Sequence, residues 1–260
     1  MGIVNVTPDS FSDGGNYDSP QQAIDHAFAL IEEGADLLDI GGESTRPGAA
    51  QVSDKEELAR VMPVLEGLRE CRVALSIDTQ KTAVMRAALV AGVDMVNDVN
   101  ALQAPGALAA VAQSNAAVCL MHKQGDPQNM QQFPLYHDVV SEVEAFLQAR
   151  VAAAKAAGIE ANRIVIDPGF GFGKNLEHNV ALLRGLPRFQ DMGVPLLAGL
   201  SRKSMLGKIA QLEVNERVHA SVAAAVLAVL KGAKIVRVHD VKATREALAI
   251  VNAVEGWSDD

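Results

Sequence analysis

Eight short apolar runs in this 260-residue chain end in residues able to bind a polar substrate and stabilise charge. The endings are Asn5 and Asp9, Asp39 and Glu43, Asp78, Asn97 and Asp98, His122, Asp167, Ser201-Arg202-Lys203, and Arg237 with His239. An ionised carboxylate accepts two parallel hydrogen bonds, so Asp39, Asp78, Asp98 and Asp167 suit a substrate rich in N–H donors. Asn97 adds an amide that donates and accepts. Together they fit the edge of a flat nitrogen heterocycle. Any one of the four aspartates could instead cap a helix, but four at equivalent places argue against a purely structural set. A multi-carboxylate metal site is the competing reading, and the chain lacks the H-x-H and H-E-x-x-H patterns that would favour it.

A second group is basic. Ser201-Arg202-Lys203-Ser204 and Arg237-x-His239 follow the last two runs, and a two-residue spacing points Arg237 and His239 the same way. Arg46 follows the second run. Arg46, Lys203, Arg237 and His239 together predict an anion site.

Helical patterns separate all the runs. Strand, loop and helix repeated eight times is the signature of a single-domain α/β fold, a (β/α)₈ TIM barrel. There the strand ends that lead into helices share one face, where active sites are built, and the loops after strands seven and eight often hold phosphate. Ser19, Pro20 and Gln22 start the first helix, with Ile24, Ala27, Phe28 and Ile31 as its apolar face and Gly34 as its stop. Ser53 and Glu56 predict a capping box for the second, with Leu58, Val61, Met62 and Leu65 inward. Gly92, Gly158 and Gly232 end later helices. Long polar loops, about residues 7–19 and 41–52, follow the first two strands and have the length of functional lids.

Composition narrows the class. With 49% hydrophobic residues, 260 residues suffice for one large core. A net charge of −9 lacks the basic footprint of a nucleic-acid binder. Cys71 and Cys119 have neither metal nor redox spacing, which predicts two reduced thiols in a cytoplasmic protein. No apolar run is long enough for a membrane span. Gly-Phe-Gly-Phe-Gly-Lys at 169–174 fits no nucleotide-loop template, because Pro168 and Lys174 stand where glycines are required. It reads instead as a turn that sets Phe172 over the mouth.

Five stretches carry a resemblance: N-V-T-P-D-S-F-S-D-G-G at 5–15, D-I-G-G-E-S-T-R-P-G at 39–48, D-P-G-F-G-F-G-K at 167–174, S-R-K-S at 201–204 and R-V-H-D at 237–240. In this order they resemble the dihydropteroate synthase family over essentially the whole chain. The resemblance implies condensation of 6-hydroxymethyl-7,8-dihydropterin diphosphate with 4-aminobenzoate, sulfonamide competition for the aminobenzoate place, and a homodimer. Asp167 would then bind the pterin's amino-pyrimidine edge, with Asp78 and Asn97 on its other polar atoms and Lys203 on its carbonyl or ring nitrogen. Asn5 would ligate Mg²⁺, and Arg46, Arg237 and His239 would hold the phosphates. Thr45, Pro47, Phe172 and Ser201 would shape the aminobenzoate pocket, with Thr45 also touching the pterin diphosphate, and Phe11 and Asp13 would close over the site.

Two departures from the family pattern stand out. Met1 sits directly on the first strand where relatives carry a short preceding segment, which implies a start upstream or a less well plugged barrel bottom. Asn100 and Lys123 also differ from many relatives and are expected to be peripheral to the chemistry. The rival readings are a pterin-dependent methyltransferase, a Schiff-base aldolase using Lys203, and a paralogue that binds pterin diphosphate without turning it over.

Overall fold

In the computed structural model, residues 1–7, 20–44, 49, 51–125, 130 and 134–256 are described. The expected strands are present as β1 (Gly2–Asn5), β2 (Leu37–Gly41), β3 (Ala74–Asp78), β4 (Met95–Asp98), β5 (Ala117–Met121), β6 (Ile164–Asp167), β7 (Leu197–Ala198) and β8 (Ile235–Val236). All ladders are parallel, and β1 to β6 pair in chain order, as do β7 and β8. Parallel bridges Ile166↔Leu196 and Gly2↔Val238 join the two sheets, so the eight strands close into a barrel. The helices are α1 (Pro20–Glu32), α2 (Asp54–Gly67), α3 (Thr82–Ala91), α4 (Ala107–Ala112), α5 (Val139–Ala156), α6 (Leu176–Gly185), α7 (Ser204–Ala210), α8 (Val218–Leu230) and α9 (Val241–Glu255). The short α7 is an addition to the eight-unit pattern.

The interior explains the strand endings. Met1, Met95, Cys119, Val165 and Leu197 form a buried apolar cluster, with Leu37, Ala117 and Ile235 against it. Successive strand side chains alternate between the two faces of a sheet. Counting upward in twos from that cluster gives Asp39 above Leu37, Asn97 above Met95, Asp167 above Val165, Ser201 two steps above Leu197, and Arg237 then His239 above Ile235. An apolar floor thus carries a polar ceiling. A separate and larger apolar shell packs the outer faces of the strands against the helices.

The same alternation sends Asp98 elsewhere. It follows Asn97, is fully buried, and accepts 2.7 Å hydrogen bonds from the backbone N–H groups of Asn100 and Leu102. It braces a turn in which Ala101 and Leu102 take positive φ, so it leaves the set of mouth carboxylates.

Pro20 opens α1, and Gly34, Gly92, Gly158 and Gly232 all adopt positive φ after their helices. The α1 stripe is rotated from expectation: Ala23, Ala27 and Leu30 are buried, Ile24 and Ile31 partly so, and Phe28 is 44% exposed. Three alanine and leucine positions let the helix lie close to the strands, and Phe28 falls to its side. Ser53 caps α2 by accepting from Glu56 N at 3.2 Å, but the Glu56 carboxylate turns to Arg60 instead of completing the box. Beside the expected Val61 and Leu65, α2 buries Glu57, while Leu58 and Met62 are only partly buried.

Candidate active site

Asp39 is the hub of the ceiling. Fully buried in β2, it accepts from Ser76 Oγ at 2.6 Å, Asn97 Nδ2 at 2.9 Å and Arg237 Nε at 2.6 Å. Arg237 also donates through Nη2 to Asp78 Oδ2 at 2.7 Å. One guanidinium is therefore suspended between two carboxylates, which take two of its five N–H groups. Burial works against the Arg237 charge, but Asp39 and Asp78 outweigh it and make the group harder to deprotonate than usual. Burial pushes Asp78 up to about 7 despite Arg237, and repulsion from Asp39 adds to the rise. The motif comparison gave Asp39 no role. Its signal was available: it is the inward position directly above Leu37.

Across the barrel, Asp167 is buried and accepts from Gly169 N at 2.7 Å. Burial raises its pKa, while that backbone N–H and the nearby Lys203 and Lys174 oppose the rise. Lys203 Nζ lies 4.3 Å from the centre of the Phe172 ring and donates to the Phe170 carbonyl. Burial, opposed by Asp167, lowers the Lys203 pKa to about 8. The Phe172 ring thus packs against the Lys203 ammonium.

That turn is built by glycines and one lysine. Gly169 and Gly173 have positive φ, and a Cβ on either would fall 1.8 Å from the His122 carbonyl oxygen or 2.3 Å from that of Gln124. Lys174, 2% exposed, reaches back to Gly169 O at 2.8 Å, Phe172 O at 3.0 Å and His122 Nδ1 at 2.9 Å. Burial drives its pKa well below the ordinary lysine value. Burial and Lys174 lower His122 to about 3, so the ring is neutral. Both side chains are buried, and Lys174 is bonded to the turn. Lys174 is a strap that sequence reasoning missed, because a lysine beside glycines reads as surface charge.

Two further anchors frame the mouth. Glu43 accepts from Val52 N at 2.8 Å, closing the base of the loop after β2, and pairs with Lys81 at 3.0 Å. Lys81 also pairs with buried Glu57. At the β7 and β8 ends, Ser201 Oγ lies 2.9 Å from His239 Nδ1 and accepts from His239 N at 3.1 Å. Asn100 helps form the Asp98 turn, and Lys123 donates to Gln80 Oε1 at 3.0 Å.

The structure brings together Asp78, Asn97, Arg237 and Asp39 on one side and Asp167, Lys203 and Phe172 on the other, with Ser201 and His239 paired beyond β7 and β8. Asn5 ends β1, half-buried and registered opposite Gly41. Phe11, Asp13, Thr45, Arg46 and Pro47 lie outside the described residues. Among the described residues no group of three or more His, Cys, Asp or Glu could hold a metal. The Asn5 amide oxygen is a hard, neutral donor, suited to Mg²⁺ that keeps several waters and is held largely by substrate phosphates. A groove of about 800 Å³ opens at the opposite end of the barrel, lined by residues including Met1, Asp36, Leu230, Lys234 and Arg245.

A parallel barrel with acids, an amide and a guanidinium on its strand ends defines a class of small-molecule enzyme. Residues 1–239 match the model of the pterin binding enzyme family, and the chain belongs to that family. It belongs within it to the dihydropteroate synthases, which are transferases. The dihydropteroate synthase of Escherichia coli strain K12 is 50% identical over 254 residues, covering 97% of this chain and 90% of the relative. The Yersinia pestis enzyme, solved with a sulfonamide drug complex, is 52% identical with a TM-score of 0.94, covering 98% of this chain and 94% of that one. The Xanthomonas albilineans enzyme, solved with 4-aminobenzoic acid, is 53% identical with a TM-score of 0.94, covering 99% and 93%.

Proposed function

We propose that this chain joins 6-hydroxymethyl-7,8-dihydropterin diphosphate to 4-aminobenzoate, giving 7,8-dihydropteroate and pyrophosphate in folate biosynthesis. The observation that carries this reading is Arg237 held between Asp39 and Asp78, facing Asp167 and Lys203 across the barrel. Asp167, Asp78 and Asn97 offer acceptors and an amide to the polar edge of the pterin, and Lys203 offers a donor to its carbonyl or ring nitrogen. The remaining N–H groups of Arg237, with His239 and Arg46, hold the diphosphate, which Thr45 also touches. Thr45, Pro47, Phe172 and Ser201 wall the aminobenzoate side, and Phe11 and Asp13 close over it. The 4-aminobenzoic acid and sulfonamide in the two relatives support that side, and sulfonamides are expected to compete there.

The reaction breaks the bond between the pterin methylene carbon and the diphosphate oxygen, with the electron pair leaving on pyrophosphate. The arylamine nitrogen then forms the new C–N bond and loses a proton to solvent. Asp39 and Asp78 around one guanidinium bring negative charge beside the pterin as Asp78 ionises near neutral pH, which favours cationic charge spread over the dihydropterin as the bond breaks. Arg237 and His239 favour the opposite charge on the leaving group. An arylamine is unprotonated at neutral pH, so the site needs no strong base, and the substitution is SN1-like. Asn5 and the substrate phosphates would hold Mg²⁺, which when bound would supply further neutralisation of the diphosphate.

Pyrophosphate release from the pterin diphosphate with Mg²⁺ tests the reading, with and without 4-aminobenzoate. Release that depends on aminobenzoate and yields dihydropteroate is expected. Tight binding of the pterin diphosphate without product would overturn it in favour of a non-catalytic paralogue.

A homodimer through α8 and α9 is part of the proposal. Leu227 and Leu230 on α8 are 46% and 48% exposed, and Ile250 and Val254 on α9 are 68% and 76% exposed. A monomer in sedimentation at micromolar concentration would refute it. Both cysteines are free, as expected of a chain that works in the cytoplasm, and no described helix is long and apolar enough to cross a membrane.

A further inference from the structure

Asp39 is fully buried, yet three donors converge on it. Ser76 Oγ lies 2.6 Å from Oδ1, and Asn97 Nδ2 and Arg237 Nε lie 2.9 Å and 2.6 Å from Oδ2. The strand register explains how it reaches them. Asp39 pairs with Ser76, while Gly41, Asp78 and Asn97 align one side-chain layer higher. Gly41 is the next inward residue of β2 and adds no side chain to that layer. The Asp39 carboxylate therefore serves the upper layer from below.

The contact with Asn97 fixes the sense of an amide. Asp39 Oδ2 is ion-paired to a guanidinium, which carries donors and no acceptor. The Asn97 amide must present nitrogen to that oxygen, because its own oxygen would set acceptor against acceptor. One Nδ2 hydrogen is thereby used, and Oδ1 with the second hydrogen is left to meet a ligand. The two ends of an amide are nearly alike in shape, so without Asp39 the group is free to turn over and exchange its donor and acceptor sides. A pterin edge has its donors and acceptors at fixed places, and a reversed amide would meet like with like.

We propose that Asp39 is a positioning residue for pterin recognition, holding the Asn97 amide so that Oδ1 and one Nδ2 hydrogen are presented to the polar edge of the ring. This rests on the functional reading above and extends it to a buried residue that acts through Asn97. Asp39 also supports the fold through Ser76 and Arg237. The positioning role is separable from that support, because its loss must be specific to the pterin and must depend on Asn97.

The test reads the amide directly and then its consequence, on the full chain. In ¹H–¹⁵N spectra of asparagine-labelled protein, Asn97→Ala assigns the side-chain signal. One Nδ2 hydrogen of Asn97 is expected at lower field than an ordinary side-chain amide, because a hydrogen bond to a carboxylate deshields it. Asp39→Asn keeps the volume and is expected to return that hydrogen to the ordinary position. In calorimetry with 6-hydroxymethylpterin, Asp39→Asn is expected to weaken binding about tenfold, the scale of one hydrogen bond. In the Asn97→Ala background the same change should cost no more than about twofold, since the two residues act as one unit. In steady-state assays the loss falls on the KM for the pterin diphosphate, while that for 4-aminobenzoate stays within about twofold. Ser76→Ala releases Asp39 at its other oxygen and is expected to weaken pterin binding about threefold. It decides the matter if Asp39→Asn does not fold. An Asn97 amide at the ordinary position in wild type overturns the proposal. So does pterin binding unchanged in the folded variants, or an equal loss with and without Asn97. Wild type that binds 6-hydroxymethylpterin but forms no dihydropteroate sinks the functional reading alone, because spectra and binding still decide the role of Asp39. Wild type that binds no 6-hydroxymethylpterin sinks both.

Discussion

The two sides of the barrel mouth solve the burial of charge differently. On the β2, β3 and β8 side, Arg237 is balanced by other side chains, Asp39 and Asp78. On the β6 and β7 side, Lys174 and Lys203 are held by backbone carbonyls and an aromatic face. The first arrangement holds paired charges that can be shared with an incoming ligand. The second lowers the pKa of each lysine by burial, and one of the two serves only to tie down a loop. Polar side chains paired with each other make a responsive surface, whereas side chains paired with backbone make a frame.

Removing Arg237 should break this contrast most severely. Arg237→Met leaves two carboxylates facing each other in the interior with no cation between them. Breaking one partner out of a buried ionic group costs about 3–5 kcal/mol, and chemical denaturation should read a loss of that size. Dihydropteroate formation should fall by at least about 100-fold, the scale of losing a transition-state donor. Arg237→Lys should keep much of the stability and little of the rate, since a point charge cannot span both acids. Near-normal turnover in Arg237→Met would end its proposed role.

Lys174→Met tests the frame. The unbranched apolar chain fills a similar volume but leaves the carbonyls of Gly169 and Phe172 without this donor. An unmade buried hydrogen bond costs about 1–3 kcal/mol, and roughly 2–3 kcal/mol is expected here by denaturation. Because Lys174 is buried and bonded to the carbonyls of the turn, the damage to catalysis should appear as a raised KM for aminobenzoate through a displaced Phe172. A lower kcat at unchanged KM would mean that Lys174 takes part in the chemistry.

These two residues also mark where sequence was informative. Arg237 was legible because it sits at an inward position above an apolar floor, two residues from His239. The alternation that places it also separates Asn97 from Asp98, and treating both as mouth residues ignored the pleat. Lys174 and Glu57 were illegible for a different reason: their burial depends on partners brought from His122 and Lys81, far away in the chain. The barrel itself was readable because each strand–helix unit repeats the same local pattern. Phe28 was misjudged because helical periodicity identifies a face only to within one residue's rotation.

His122 gives the frame a pH signature of opposite sign to the acids. Its pKa is about 3 in the folded chain against 6.5 ordinarily, so the unfolded chain binds more protons between those values. Its contribution to stability is complete above pH 6.5 and is lost as pH falls toward 3. Asp78, raised from 3.8 to about 7, runs the other way: the folded state binds the extra proton, and stability falls as pH rises through that window. Comparing wild type with His122→Gln cancels the aspartate term. The wild type should lose about 2 kcal/mol more than the variant between pH 7 and 5. Parallel stability curves would mean that His122 is charged in the folded protein.

The smallest expected effect isolates the aromatic part of the frame. Phe172→Leu keeps an apolar wall but removes the ring face 4.3 Å from Lys203 Nζ. A cation over an aromatic ring at a partly exposed site contributes about 0.5–1 kcal/mol, so the stability loss should stay near that value. Lys203 keeps its bond to the Phe170 carbonyl and its attraction to Asp167, so the pterin side should be little changed. The KM for aminobenzoate should rise by a factor of about 2 to 5 at similar kcat, since uniform binding is what the wall supplies. If Phe172→Leu instead destabilises the protein as much as Lys174→Met, the ring rather than the lysine strap is what secures this side of the mouth.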